Sequence, residues 1–152
     1  YSFDVLGLLD PADQRQALRE FWRCLKPGGH LMLNVAAFGW LFSTHDIACH
    51  LQTRFTARQL KNLLAENGFL VTFHTYRVFF LFPLIALYKL LEKLKMHSQP
   101  PELIKGDLEK TNGLLNALFT PLLKLENWLL RFCRLPFGSS LFVVAQKPSI
   151  TS

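Results

Sequence analysis

Apolar positions along this chain change their period several times, and each change marks an element. Phe3 to Leu9 (FDVLGLL) is a nearly continuous apolar run, which predicts a strand covered on both faces. A helix signal ends it. Asp10 suits the N-cap, Pro11 fits the first helical position, and Asp13 puts a negative charge in the first turn. Ala17, Leu18, Phe21, Trp22 and Leu25 then recur on one helical face until Lys26, Pro27, Gly28 and Gly29 stop the helix. From His30 to about Ala37 the period falls to two, with Leu31, Leu33 and Val35 on one face of a second strand and Met32, Asn34 and Ala36 on the other.

Phe38 to Phe55 keeps no clear period and reads as a long connection with room for one helical turn. Thr56 and Gln59 form a capping box for a short helix with Leu60, Leu63 and Leu64 on its apolar face, and Gly68 follows Asn67 as the stop. Phe69 to Tyr76 is β-branched and aromatic, which predicts a third strand. A helix is expected over about 80–95 and a second over about 113–135, where Leu115, Leu118, Phe119, Leu122, Leu125, Leu129 and Phe132 form a broad apolar face and Pro121 should bend or break the helix. His97 to Asp107 reads as a linker between them, Ser140 to Lys147 as the last strand, and the residues after Pro148 as a frayed tail.

Of the 152 residues 50% are hydrophobic and 18% charged, which excludes a disordered or collagenous chain. The net charge of +6 permits an anionic partner, but the basic residues are spread out and no nucleic-acid recognition motif is present. Cys24, Cys49 and Cys133 form no CxxC, so a reduced, cytoplasmic setting is expected. The longest apolar run, Val78 to Tyr88, is too short to span a bilayer. Helices with apolar faces and Lys89, Lys93, Lys95, Lys124, Arg131 and Arg134 have two readings: a pair packed on itself and on the sheet, or a contact with a membrane surface, which would make the protein peripheral to a membrane. The chain opens on Tyr1 inside what reads as a buried strand, so a fragment is expected, self-associating through the exposed strand at 3–9.

His45, Asp46, Cys49 and His50 form the densest cluster of potential ligands. On a helix they give two i, i+4 pairs, short of the three ligands a catalytic zinc site gathers, so no metal is expected. A surface loop held by local hydrogen bonds is the plain alternative for this stretch.

FDVLGLLD, ALREFWRCLKPGGHLMLNV, FTARQLKNLLAENGFLV and PFGSSLFVVAQK together resemble the second half of a class I S-adenosylmethionine-dependent methyltransferase. RCLKPGGHLMLNV is similar to the helix end, Pro-Gly-Gly turn and fifth strand of that superfamily, and WLFSTHDIACHLQTRFTARQL resembles one branch of it. The resemblance implies an α/β fold: a partial Rossmann-like sheet with strands equivalent to the fourth to seventh, over 1–147, and a two-helix insertion at about 78–135. It implies S-adenosylmethionine as cofactor of the complete domain, with Asp10 facing its methionine portion, and a small-molecule or lipid-linked acceptor under a loop carrying Trp40, His45, Asp46, His50 and Arg54. A histidine of this loop could serve as general base where its pKa lies near the working pH, and no catalytic residue is assigned. No GxGxG occurs in the sequence, and Asp10 runs directly into Pro11, so this chain alone is expected to be inactive and to bind the cofactor poorly. A non-catalytic interaction or membrane-surface module is the alternative.

Overall fold

The computed structural model describes residues 1–96 and 113–149. Among these residues the helices and strands are, in order, β1 (Ser2–Phe3), α1 (Pro11–Cys24), β2 (His30–Ala36), α2 (Thr44–Ala48), α3 (Ala57–Glu66), β3 (Leu70–Arg77), α4 (Phe82–Met96), α5 (Gly113–Leu129) and β4 (Ser140–Gln146), with short 3₁₀ turns besides. The predicted linker at 97–107 and the tail after Ser149 lie outside the described residues.

The strands form one mixed sheet in the order β1-β2-β4-β3. Ser2 of β1 lies opposite Leu33 of parallel β2, while β4 runs antiparallel between β2 and β3, setting Val144 against Met32 and Phe142 against Thr75. β2 and β3 therefore point the same way, and α3 is the crossover between them.

Helix ends match the sequence signals. Asp10 Oδ1 accepts from Ala12 N (2.8 Å) and Asp13 N (2.9 Å), which caps α1. At the other end Lys147 Nζ donates to the carbonyls of Trp22 (2.7 Å) and Leu25 (2.8 Å), groups the helix itself leaves unbonded. The Thr56–Gln59 capping box opens α3. Gly68 closes it at φ +88°, where an added Cβ would press on the Trp22 ring, so glycine is required there on two counts.

Alternation in β2 and β4 sends Leu31, Leu33 and Val35 with Leu141, Val143 and Ala145 to one sheet face, where Leu18 of α1 and Leu60 and Leu64 of α3 bury them. The opposite face is only partly covered. Met32 and Phe3 are exposed there, and Phe73, Thr75 and Phe142 line an open groove together with Asn127 of α5 and Leu130 just after it.

Several expectations need correction. Phe3 to Leu9 is not a strand: pairing covers only Ser2–Phe3, Asp4 takes φ +59°, and Leu6–Leu8 form a 3₁₀ turn with Leu6 and Gly7 buried. The turn forms because Gly7 O accepts from both Gln52 N and Thr53 N (2.9 Å each), which ties it to the 38–55 connection instead of to a neighbouring strand. The exposed edge is thus far shorter than a 3–9 strand. The second long helix ends at Leu129 and not Leu135, and it continues through Pro121.

The insertion helices turn only part of their apolar faces inward. α4 buries Lys89 (9% exposed) and leaves Leu87 54% exposed; α5 buries Glu126 (2%) and leaves Leu125 and Trp128 outside. Lys89 therefore does not belong to a basic outer face.

Candidate functional site

The carboxyl ends of β2 and β3 carry the chemistry-bearing residues. After β2, Phe38 takes φ +57°, and Phe38 N and Phe55 N are bonded to Phe55 O (3.1 Å) and Ala36 O (2.9 Å). The loop between them is closed at its base. Within it lie a 3₁₀ turn at Gly39–Leu41 and then α2, where Ser43 and Asp46 form a capping box.

Asp46 is the hub of this loop. Its Oδ2 accepts from Ser43 N (2.8 Å), Arg54 Nε (3.1 Å) and Lys89 Nζ (3.1 Å), and its Oδ1 from Arg54 Nη2 (2.6 Å). Arg54 Nη1 also donates to Ala37 O (2.9 Å), so one guanidinium links the loop to the first residue after β2. Burial opposes ionisation of Asp46, yet the hydrogen bonds and charges of Arg54 and Lys89 outweigh it and hold the carboxyl below its usual range. The carboxylate stays ionised, and its partners fix α4 against the loop.

Above this hub the aromatic rings form a wall. Phe38 stacks on Tyr76 at 4.9 Å between centroids and 7° between planes, and it lies 6.2 Å from Trp40 and 5.8 Å from Phe82. Trp40 meets Phe82 edge-on at 6.0 Å, Phe82 meets Phe137 at 5.4 Å, and Phe137 meets Phe79 at 4.5 Å. Trp40 is 53% exposed and marks the open side of the wall.

The turn after β3 that carries Phe79 is held from below. Glu126 Oε1 and Oε2 accept from Val78 N (2.6 Å) and Phe79 N (2.7 Å). Val78 takes φ +63°, unfavourable for a β-branched residue, and a Cβ at Gly138 would overlap the Arg77 carbonyl. A buried carboxylate and an obligatory glycine together hold this turn.

The residues singled out from the sequence are sorted accordingly. Asp46 and Arg54 come together in the buried hub, with Lys89 as a third member; Trp40 joins the wall; His45 and His50 lie exposed, His45 Nε2 being 3.6 Å from Cys49 Sγ. Asp10 is exposed and caps α1. Among the described residues no group of three or more His, Cys, Asp or Glu is placed to hold a metal ion, and no helix is long and apolar enough to cross a membrane. Phe38, Phe82, Phe137 and Glu126 are the members that sequence reasoning missed. The density of aromatics in FGWLF and FFLF was the available signal, whereas nothing marks Glu126 as different from a solvated helix residue.

No protein-family model and no curated protein matches the chain. Solved structures do. The complex of the Haloferax volcanii Trm112 methyltransferase activator with a protein described as a methyltransferase matches at 16% identity and a TM-score of 0.50, over 99% of this chain and 53% of that one. A SAM-dependent methyltransferase from Archaeoglobus fulgidus matches at 14% identity and 0.46, over 96% and 57%. Phosphoethanolamine N-methyltransferase 2 of Haemonchus contortus, in complex with S-adenosyl-L-methionine, matches at 14% and 0.47, over 97% and 32%. This chain spans about half the length of the first of these or less than two thirds of any. With its mixed sheet order and its helical crossovers, the chain has a methyltransferase-like Rossmann-type α/β fold.

Proposed function

We propose that the chain forms the acceptor-side half of a class I S-adenosylmethionine-dependent methyltransferase acting on a small-molecule or lipid-linked acceptor with an apolar portion. The observation that carries this reading is the aromatic wall of Phe38, Trp40, Phe82 and Phe137 at the carboxyl ends of β2 and β3. In open α/β sheets ligands sit beyond those ends.

The residues present do not make a complete cofactor site. The sequence holds no GxGxG turn, and Oδ1 of Asp10, the candidate for the methionine portion, accepts two backbone bonds as a helix cap. On the acceptor side, Trp40 packs the apolar portion, and the exposed His45 and His50 offer polar contacts, one of them as general base where the acceptor must lose a proton. Asp46 and Arg54 act as positioning residues, because both are used up in holding the loop. Alignment of the acceptor supplies most of what such a reaction asks of the protein.

Calorimetry tests the cofactor side: the 152-residue chain should show no saturable binding of S-adenosylmethionine, and micromolar binding would overturn this division of the site. In a complete enzyme, Trp40→Ala should raise the acceptor KM about tenfold, equivalent to roughly 1.4 kcal/mol, with cofactor affinity unchanged. Equal loss of cofactor affinity would place the wall on the wrong side.

A further inference from the structure

α4 and α5 each turn one charged residue inward and leave leucines and aromatics exposed. On α4, Lys89 turns inward to Asp46, while Leu84, Leu87 and Leu91 recur at helical spacing on the outer side with Tyr88 beside them. On α5, Glu126 turns inward to the Val78–Phe79 turn, while Lys124, Trp128 and Arg131 are exposed and follow one another at i, i+4 and i+7. Phe132, at 72% exposure, lies 5.1 Å from Trp128 between ring centroids. Both orientations are fixed by ion-pair or carboxylate contacts to the body of the protein, so neither helix can roll its leucines inward without stripping a buried charge of its partners.

Exposed apolar surface of this kind on two helices marks an interaction site. Its charge selects the occupant. Among the described side chains of α4, of α5 and of the segment up to Gly138, the exposed ionised groups are Lys124, Arg131 and Arg134, and the one carboxylate, Glu126, is buried. A second copy would bring like charges to an apolar contact, with no exposed acid among the described side chains of these segments to pair them. Exposed leucines together with tryptophan, tyrosine and cations instead match the composition of a bilayer surface contact, where rings and cationic heads sit at headgroup level and aliphatic chains reach the acyl boundary.

We infer that the outward faces of α4 and α5 dock this protein on an anionic lipid surface, lying in the interface without spanning it. The inference does not rest on methyl transfer. The test is co-sedimentation of the full chain with vesicles of phosphatidylcholine alone and of phosphatidylcholine mixed with phosphatidylserine, alongside tryptophan emission and its quenching by brominated acyl chains. Binding to the anionic vesicles should be at least about tenfold tighter than to the neutral ones, since each surface cation adds roughly one factor of five. Lys124→Glu with Arg131→Glu should abolish that preference. Leu87→Gln with Leu91→Gln, and separately Trp128→Ser, should weaken binding to both vesicle types, and Trp128→Ser should remove most of the lipid quenching. All these positions are exposed, so circular dichroism and the melting midpoint should stay unchanged and identify any variant that fails for lack of folding. Absence of sedimentation with either vesicle, sedimentation that no correctly folded variant weakens, or a discrete dimer in sedimentation equilibrium that the leucine variants dissolve would each overturn the inference.

Discussion

The helices on the covered sheet face and the two helices of the insertion solve opposite problems with similar residues. α1 and α3 turn Leu18, Leu60 and Leu64 onto β2 and β4 and leave their charges in water. α4 and α5 turn a lysine and a glutamate toward the protein and leave leucines and aromatics outside. In the first case hydrophobic burial sets the helix rotation; in the second a buried ion pair and a pair of backbone donors set it. The difference teaches that an amphipathic pattern defines a face without defining the direction that face takes.

Truncation of apolar residues gives the largest contrast. Leu33→Ala in the covered core should cost about 2–5 kcal/mol, from lost transfer energy and the cavity left behind. Leu87→Ala on α4 should stay within roughly 0.5 kcal/mol, as for other exposed positions. Urea unfolding measures both, and a core-sized loss for Leu87→Ala would show that the face is buried against something in solution.

Breaking the hub should come next. Asp46→Asn leaves Arg54 and Lys89 without their common counter-charge and should cost about 3 kcal/mol. Lys89→Met, which removes one of two cations and keeps the Arg54 pair, should cost about 1 kcal/mol or less; equal costs would mean that Lys89 and not Arg54 anchors the loop. Because the folded Asp46 carboxyl ionises below its unfolded value, its stabilisation is present above the ordinary carboxylate range and is lost as pH falls through the lower folded value. Acid unfolding of Asp46→Asn should therefore lack part of the steep loss below about pH 4.

His74 gives the smallest effect. Burial first, and then the charges of Lys61 and Arg134, hold its imidazole below the usual histidine range. The unfolded chain takes up the proton first, so stability should fall as pH drops below about 6.5 and level off beneath the folded value. His74→Gln should remove that slope. A proton NMR titration should place the His74 midpoint below that of a free histidine, and Lys61→Gln should move it upward; a midpoint at or above the free value would show that the groove lined by Lys61, His74 and Arg134 is more open to water.

Local signals made much of the fold legible. The Asp10 cap, the Thr56–Gln59 box and the Gly68 stop each depend on chemistry within a few residues, and each helix begins or ends where they indicate. The two-residue period of β2 likewise separated Leu31, Leu33 and Val35, which the fold buries, from Met32, Asn34 and Ala36 on the other face. Phe3 to Leu9 misled because an apolar run carries no information about backbone pairing, and the turn that forms there depends on Gln52 and Thr53 far along the chain.

Of the candidate site, the residues were visible but their roles were not. Asp46 and Arg54 stand out as polar residues in a dense cluster, yet only folding brings Lys89 from a distant helix to the same carboxylate and turns apparent ligands into a structural hub. Glu126 is unremarked in the chain until the Val78–Phe79 turn offers it two backbone donors. Sequence by itself determined most of the elements, their caps and the existence of apolar faces, because those follow from the conformational preferences and spacing of near neighbours. Tertiary structure alone decided which faces turn inward, because a buried charge must meet its partner wherever the fold places it, and unpairing that charge costs more than leaving a few leucines in water.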